Sequence, residues 1–322
     1  MKRTELKLKI YVAPLEGITG HIFRKTFNEV YGGVDKYFAP FITPSEKCAV
    51  TPRDKKELSP ENNKGIYLVP QILTCRSDGF ISAMKELKDM GFNEVNLNLG
   101  CPSGTVCAKG KGAGFLPETT ALTKFLDEIY KASETEGVKI SIKTRLGYFD
   151  PDEFYDLTEI FNGFPVSELI VHPRIRSDFY KGEPRKEYFA YALEHIKCPL
   201  VYNGNIYTEQ DYKDLCELFG TCLDPVMLGR GLITDLSLAD KLNGKDTSEA
   251  DAKFKTFHDT IYHEYQKVMS PDINVLYKMK ELWSYWAAFY DVKSRDIKSI
   301  QKAKKYAEYE DAVYGIMGQL IQ

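Results

Sequence analysis

The sequence predicts an α/β protein, a closed (β/α)8 TIM barrel with a C-terminal helical domain. Eight short apolar runs alternate with amphipathic stretches over the first three quarters of the chain. Most of these runs are continuously apolar, as parallel strands are when helices cover both faces of a sheet. Beyond about residue 240 the strand signal stops, and only helical periodicity remains.

The predicted elements of the barrel follow one another in regular order. The predicted strands are 10–15, 37–42, 67–73, 94–99, 139–145, 168–172, 200–203 and 225–228. The predicted helices between them include 79–90, 119–135, 154–161, 188–195 and 209–219. A doubly wound open sheet is the alternative, but it needs a glycine-rich phosphate turn after the first strand. Residues 14–17 read Pro-Leu-Glu-Gly instead, so we favour the barrel, which right-handed crossovers close most simply.

A polar, turn-forming segment at 243–248 predicts a domain boundary. The catalytic barrel domain would comprise residues 1–242, and the helical domain residues 243–322. Apolar residues at helical spacing predict three helices in the second domain, at 254–269, 275–290 and 297–317.

The composition is that of an ordinary globular protein, with 43% hydrophobic and 28% charged residues. No apolar run reaches the ~18 residues that span a bilayer, and the amino terminus lacks the apolar core of a secretory signal. Seven cysteines, an odd number without regular spacing, indicate reduced thiols. We therefore expect a cytoplasmic monomer without a membrane segment. Because the net charge is −3, any nucleic-acid binding must come from a local basic patch.

Polar side chains lie at the carboxyl ends of the predicted strands, where barrels carry their catalytic groups. They include Gln71, Asn98, Lys143, His172 and the runs 203–205 and 229–231. Lys143 stands inside a strand, and a buried ammonium is costly without an anionic partner. In such barrels the loops after the last two strands often hold phosphate. Glycines let backbone N–H groups approach the phosphate oxygens closely, and Arg230 could add charge-assisted hydrogen bonds. Flavin mononucleotide (FMN), a phosphorylated ring that gains negative charge on reduction, fits both features.

Cys101 follows the fourth predicted strand directly, between Gly100 and Pro102, in a loop that opens onto the barrel mouth. Loops on a rigid scaffold carry chemistry, and a thiol serves as nucleophile or general acid. The sequence has no Cys-x-x-Cys pair, and His258 and His263 are five residues apart, off the spacing of a helical zinc pair. We therefore expect no metal site.

Seven motifs occur in an order and spacing typical of one enzyme family. The most specific is 96–103, Asn-Leu-Asn-Leu-Gly-Cys-Pro-Ser, followed by Gly-Ala-Gly-Phe-Leu at 112–116. The others are 13–19, 69–72, 142–147, 171–174, 203–206 and 227–231. In these motifs the chain resembles the tRNA-dihydrouridine synthases, from about residue 12 to residue 235 and more loosely through the helical tail.

The resemblance implies an FMN-dependent enzyme that reduces the C5–C6 double bond of specific uridines in tRNA, with NADPH or NADH as reductant. Hydride would reach uracil C6, Cys101 would supply the proton to C5 as general acid, and Asn98 would help to orient the uracil. The residues implied to hold the flavin ring are Pro14, Leu15, Glu16, Gln71, Lys143 and His172. Those implied to hold its ribityl phosphate are Asn203, Gly204, Asn205, Gly229 and Arg230.

The chain departs from the family pattern at several positions. Gly104 stands where Lys or Arg is common, Pro173 and Ile175 replace the usual Gly or Ala and Thr, and Asn205 stands where an acidic residue is common. These departures concern RNA contacts and the choice of uridine more than the central chemistry.

A uridine inside a folded tRNA must be unstacked and drawn out, which requires cations around the mouth. Basic residues cluster after the sixth predicted strand, with aromatic residues interleaved, and we predict that Arg174 and Arg176 contact the substrate. In the family the tail helps to grip tRNA, so we predict that Lys278 and Lys280 face the RNA. The aromatic residues of 275–290 are predicted to be core.

Two other functions stay open. One is another FMN barrel oxidoreductase acting on a small pyrimidine, similar to dihydroorotate dehydrogenase, which would not need the basic helical tail. The other is a non-catalytic RNA-binding barrel, against which the presence of Cys101 and Lys143 speaks. The sequence alone leaves open which uridine is reduced and whether NADPH or NADH is preferred.

Overall fold

A computed structural model describes residues 7–320 of the chain, with side chains for 7–318. Its central sheet has nine parallel strands in the order β3-β2-β1-β9-β8-β7-β6-β5-β4. The strands are β1 (Ile10–Val12), β2 (Lys36–Phe38), β3 (Leu68–Val69), β4 (Gln71–Ile72), β5 (Glu94–Leu99), β6 (Lys139–Gly147), β7 (Leu169–Ile175), β8 (Leu200–Tyr202) and β9 (Val226–Leu228). Residues 1–6, part of the amino terminus that is predicted to lack a secretory signal, lie outside the described residues.

The two strands at the ends of this order are halves of one predicted strand. β3 and β4 are separated only by Pro70, which has no N–H to donate to a ladder. The first half pairs with β2 and the second with β5, and the Pro70 carbonyl accepts from the Asn96 N–H at 2.9 Å. The split strand therefore joins both ends of the sheet, and the predicted (β/α)8 barrel is confirmed.

Helices surround the barrel between the strands. They are α1 (His21–Val30), α2 (Pro52–Leu58), α3 (Ser77–Asp89), α4 (Gly104–Cys107), α5 (Thr119–Glu136), α6 (Glu153–Asn162), α7 (Lys186–His195), α8 (Glu209–Phe219), α9 (Arg230–Thr234) and α10 (Leu238–Leu242). Short 3-10 turns lie at Pro60–Asn63, Gly112–Phe115 and Arg176–Asp178. The five predicted helices agree with α3, α5, α6, α7 and α8 within two residues at each end.

The interior of the barrel is filled, and its amino end is closed by a paired charge. Alternate residues of the strands form a small apolar cluster, which includes Tyr11, Phe38, Val69, Ile170, Val201 and Met227. At the amino end, Lys36 Nζ lies 3.1 Å from carboxylate oxygens of both Glu94 and Glu168. The Tyr11 hydroxyl donates to Glu168 at 2.7 Å. Among the described residues, side chains therefore occupy the amino end of the barrel.

The C-terminal region consists of four helices, one more than predicted. They are α11 (Ala250–Val268), α12 (Asp272–Phe289), α13 (Ser294–Lys302) and α14 (Tyr306–Leu320). The single helix predicted at 297–317 is wrong, because the chain leaves helical geometry at Ala303, where ψ is 130°. Trp283 and Trp286 are fully buried, as predicted for core aromatic residues. Tyr277 and Phe289 on the same helix are 61% and 40% exposed, so the prediction is wrong for these two. No helix among residues 7–320 is both long and apolar enough to cross a membrane.

The helical region shares one apolar core with the barrel. The ring of Phe257 on α11 lies 5.4 Å from that of Phe23 and 6.1 Å from that of Tyr31. On its other side it lies 6.2 Å from the ring of Trp286 on α12. Phe257 is fully buried, so it joins the barrel to two helices of the tail.

We expect Phe257→Ala to lower the free energy of unfolding by about 3–5 kcal/mol, because it removes a ring from a packed interface and leaves a cavity. Urea denaturation followed by circular dichroism measures the change. Tyr314→Ala, which truncates a ring on α14 that is 65% exposed, is the control and should stay within about 0.5 kcal/mol of wild type. A loss below about 1 kcal/mol for Phe257→Ala would contradict the shared core.

Candidate active site

A cavity opens at the carboxyl end of the barrel and contains about 850 Å³ of space free of protein atoms, including its mouth. Every strand except β3 and β4 contributes to the wall of the cavity, either with its own residues or with the loop that follows it. The wall is apolar on the side of β1, with Ala13, Pro14 and Leu15, and cationic on the side of β6, with Lys143 and Arg145. The position matches that expected for the catalytic face of such a barrel.

Cys101 is held on this wall by a network that begins in the neighbouring strand. The Asn98 side-chain oxygen accepts from the N–H groups of Gly100 and Cys101 at 3.0 and 2.9 Å. The Asn98 side-chain nitrogen donates to Gln71 at 2.7 Å. The position of the thiol is therefore fixed from behind by two buried amides.

The 112–116 motif packs against the same cysteine. Gly112 has φ +58°, and a Cβ there would lie 2.9 Å from both the Cβ and the carbonyl oxygen of Cys101. The Ala113 N–H donates to the Cys101 carbonyl at 3.1 Å. Glycine is required at 112 both for its conformation and for this close approach.

Arg145 ties the cysteine loop to the loop after β7. Its guanidinium donates to the carbonyls of Gly100 at 2.8 Å, Ile175 at 3.0 Å and Phe179 at 2.8 Å. The side chain is 1% exposed. One buried cation thus sets the distance between the thiol and the opposite wall.

Three cations line the cavity, Lys143, Arg145 and Arg230, and a fourth, Arg174, lies behind the lining residue His172. None of the four forms a salt bridge within the described residues. Burial, reinforced by the neighbouring Arg145, lowers the pKa of Lys143 to about 7. Burial also lowers the pKa of Arg145 to about 10. Such depressed values show that no carboxylate compensates the burial of these two cations, and Glu16, whose carboxylate also lines the cavity, pairs with neither within the described residues.

His172 stands among these cations as a neutral ring. Burial, followed by the charges of Arg145, Lys143, Arg174 and Arg230, holds its pKa well below the ordinary range. Arg174 Nη1 lies 2.8 Å from His172 Nε2, and because a guanidinium can only donate, Nε2 accepts. The proton of the neutral ring is therefore on Nδ1.

The loops after β8 and β9 meet beside these cations. A Cβ on Gly231 would lie 1.9 Å from the carbonyl oxygen of Ile206, so only glycine lets the two loops touch. The Asn203 amide donates to the Met227 carbonyl at 2.9 Å. The Asn205 side-chain oxygen accepts from both Arg174 and Arg230 at 3.2 Å. The predicted phosphate loops are thus brought together with two arginines.

Twelve of the seventeen predicted site residues line the cavity. They are Pro14, Leu15, Glu16, Asn98, Cys101, Lys143, His172, Asn203, Gly204, Asn205, Gly229 and Arg230. Gln71 lies behind the wall, fully buried, and donates to Asn96 at 2.7 Å while accepting from Asn98.

Arg174 and Arg176, predicted to contact the substrate, lie in different surroundings. Arg174 is fully buried and donates to the carbonyls of Lys181 at 3.3 Å and Gly182 at 2.6 Å. Its contact with RNA would require this loop to open. Arg176 lies at the rim, between the rings of Tyr148 and Phe179.

Lys278 and Lys280 lie on α12 and do not line the cavity. They border a surface depression that Tyr277, Ser284 and Gln301 also line. Lys278 donates to the Gly17 carbonyl in the loop after β1. Lys280 donates to the Ala303 carbonyl at 2.5 Å. The hydrogen bonds of the two lysines therefore link α12 to the loop after β1 and to the end of α13.

Several residues that line the cavity were not predicted from the sequence. Tyr180 lines the cavity, with the guanidinium of Arg145 5.6 Å and that of Arg230 5.0 Å from its ring centre. Phe41 and Tyr207 also line the wall. The aromatic residues interleaved in the basic run after the sixth predicted strand were the available signal for Tyr180, whereas nothing in the pattern marked Phe41.

The described residues contain no group of three or more His, Cys, Asp or Glu side chains placed to share a metal ion. The polar groups of the cavity are mainly cations and amides, together with one thiol, the His172 ring and the Glu16 carboxylate, and this predominantly cationic set suits an anionic organic ligand.

A parallel barrel with a cationic cavity and a thiol at its carboxyl end has the architecture of a barrel enzyme. The chain belongs to the dihydrouridine synthase family: the family model "Dihydrouridine synthase (Dus)" matches residues 11–316. This membership confirms the resemblance and the prediction of an oxidoreductase.

Two curated relatives and one solved structure illustrate the similarity. A "Probable tRNA-dihydrouridine synthase" of Staphylococcus epidermidis is 30% identical over 272 residues, which are 80% of this chain and 78% of that protein. The "tRNA-dihydrouridine(16) synthase" of Pseudomonas syringae pv. tomato is 29% identical over 251 residues, 75% of this chain and 77% of that protein. A variant of NCR from Zymomonas mobilis, 15% identical, covers 75% of this chain and 90% of its own with a TM-score of 0.50. This last likeness shows the fold alone.

Burial raises the pKa of the Cys101 thiol, so we expect it to keep its proton at pH values where an ordinary thiol, with a pKa of about 8.5, has begun to ionise. Alkylation by iodoacetamide requires the thiolate. Cys101 should therefore react more slowly than the exposed Cys222 at about pH 8, and its rate should still rise above about pH 9. Peptide mass spectrometry measures both rates in one sample, and a rate at Cys101 that levels off below pH 8 would contradict the shift.

Proposed function

We propose that this protein is a tRNA-dihydrouridine synthase that reduces the C5–C6 double bond of specific uridines in tRNA, with FMN as cofactor and NADPH or NADH as reductant. The observation that carries the proposal is a group of four cations without salt bridges among the described residues, two of them fully buried, beside a thiol whose pKa is raised by burial. Such a cavity binds an anion and can deliver one proton. Family membership supplies the reaction class.

The residues of the cavity fit FMN. An anionic ring would stabilise the charged form of Lys143, whose ammonium has no hydrogen-bond or ion-pair partner among the described residues. The phosphate would be held by Asn203, Gly204, Asn205, Gly229 and Arg230, and the ring would be lined by Pro14, Leu15, Glu16 and His172. Gln71 has one amide N–H left to donate after its bond to Asn96. When bound, the cofactor supplies the hydride that uracil C6 accepts.

The chain's own residues supply the rest of the reaction. Hydride addition at C6 leaves negative charge on C5 and the C4 carbonyl of the uracil. We propose that the Cys101 thiol gives its proton to C5, which completes the reduction and leaves a thiolate that solvent reprotonates. Asn98 uses its side-chain oxygen to hold the cysteine loop, and its remaining N–H is available to a uracil carbonyl.

A smaller pyrimidine substrate and a non-catalytic role are the competing functions. The exposed aromatic and basic residues at the mouth rim favour a polynucleotide over a small molecule. A non-catalytic barrel has no need of a thiol fixed by Asn98 and Gln71. Both features therefore favour the synthase.

The proposal predicts that the purified protein binds FMN and that tRNA from a strain lacking this protein reoxidises the NADPH-reduced form. Free uracil and orotate should not do so. Stopped-flow absorbance at the flavin band measures the reoxidation, and nucleotide-resolved mapping locates the reduced uridine. Reoxidation by orotate, without reduction of tRNA, would replace the synthase with the small-pyrimidine enzyme.

The acid is tested in the same assay with Cys101→Ala, which should bind FMN and accept electrons from NADPH while tRNA reduction falls by about 10²–10⁴-fold. Cys222→Ala is the control, because Cys222 is an exposed thiol that does not line the cavity. Wild-type tRNA reduction by Cys101→Ala would exclude the acid role.

We also propose that Lys278 and Lys280 contact the tRNA backbone. Replacing both with Gln should lower the slope of log Kd against log salt by about one to two, because each lost phosphate contact removes about 0.9 from the slope. Filter binding at several salt concentrations measures this, and Lys124→Gln, an 80% exposed lysine on α5, is the control. An unchanged slope would place the tRNA elsewhere.

A further inference from the structure

An exposed strip of aromatic residues lies at the rim of the cavity, outside the residues that would hold the cofactor or the target uracil. It consists of Tyr148, Phe149, Arg176 and Phe179, and we call it the aromatic rim. Phe149 is 74% exposed and Phe179 41% exposed. Large apolar side chains held in solvent beside a site are typical of a binding surface.

The residues of the aromatic rim contact one another in sequence. The rings of Phe149 and Tyr148 lie 4.5 Å apart at 72°. The Arg176 guanidinium lies 5.4 Å from the centre of the Tyr148 ring and 5.2 Å from that of Phe179. The strip therefore alternates rings with a planar cation, which is the composition that stacks on nucleic-acid bases.

Both loops that carry the aromatic rim are fixed in place. The Glu153 carboxylate accepts from the N–H groups of Tyr148 and Phe149 at 2.9 and 2.8 Å. Phe179 has φ +50°, and Arg145 holds its carbonyl at 2.8 Å. Because these loops are already ordered, binding costs them little conformational entropy.

The aromatic rim is continuous with the cavity. Tyr180, which follows Phe179 in the chain, lines the cavity wall. A uridine drawn into the cavity leaves its neighbours in the RNA without a stacking partner on one face. An unpaired base is therefore the ligand that this strip meets when the cavity is in use.

We propose that the aromatic rim is a stacking site for the unpaired nucleotide next to the target uridine. The inference rests on the proposed function, since it takes the cavity to hold a uridine of tRNA. The neighbouring base lies against Phe149, and the Arg176 guanidinium, which has no ion-pair partner among the described residues, faces the polyanion. The site contributes affinity by stacking and reads no particular base.

Phe149→Ala should weaken tRNA binding by about tenfold, the loss of one base–aromatic stack. The salt slope of Kd should stay that of wild type, because stacking releases no counterions. Phe149→Trp should bind at least as tightly as wild type. Tyr314→Ala, another exposed ring remote in sequence from the rim, is the control and should keep the wild-type Kd.

A second measurement uses tRNA with an abasic nucleotide on either side of the mapped uridine. Wild-type protein should lose about tenfold in affinity for one of these two tRNAs, and Phe149→Ala should lose nothing further for it. A wild-type Kd for Phe149→Ala, or additive losses, would overturn the stacking site. A change in sedimentation of Phe149→Ala would also overturn it, since it would show that the rim joins protein copies.

These outcomes are separable from the fate of the proposed function. If the wild-type protein fails to reduce tRNA, the proposed function fails before the rim is tested. If it reduces tRNA and Phe149→Ala binds as wild type does, only the stacking site fails.

Discussion

Buried positive charge without a protein counterion is the constraint on which this site depends. The same barrel shows how a buried lysine is ordinarily accommodated, because Lys36 at the amino end lies between Glu94 and Glu168. At the carboxyl end Lys143 has no such partner, and its pKa falls to about 7. An unpaired buried ion is expensive, so a ligand that brings negative charge, as proposed above, would stabilise the carboxyl end. The chemistry of the cavity follows from this difference between the two ends.

Two of these cations also hold the loops of the cavity wall in place. The guanidinium groups of Arg145 and Arg174 donate hydrogen bonds to backbone carbonyls of the loops after β5 and β7. These hydrogen bonds satisfy the guanidinium groups without cancelling their charge, because carbonyls are neutral acceptors. A carboxylate in the same place would have held the loops equally well and removed the attraction for an anion. Because the acceptors are carbonyls, the two arginines can hold the loops in place and still keep the positive charge that attracts an anion.

The sequence was sufficient where function follows from the position of a residue on a strand. The strand ends placed Cys101, Lys143, His172 and the 203–205 run around one cavity, because carboxyl ends of parallel strands meet. It was insufficient where a side chain reaches across the fold. That Arg174 turns inward to the carbonyls of Lys181 and Gly182 depends on a loop conformation that no local periodicity encodes. The helix predicted at 297–317 failed for a similar reason, since apolar spacing continued through a break at Ala303.

One physical cause, desolvation, prepares two groups of the site for opposite tasks. Burial disfavours the charged form of any group, so it raises the pKa of the Cys101 thiol and lowers that of the Lys143 ammonium. The thiol thereby keeps the proton that it would donate in the proposed reaction. The lysine becomes sensitive to its surroundings, because an anion beside it restores its charge. Filling the cavity with an anionic ring would thus charge Lys143 while leaving Cys101 protonated. A protonated thiol and a charged ammonium would then be present together near neutral pH. In water the ordinary pKa values of a thiol and an ammonium, about 8.5 and 10.4, would also give these two forms. What burial adds is the dependence of the lysine's charge on the presence of the ligand.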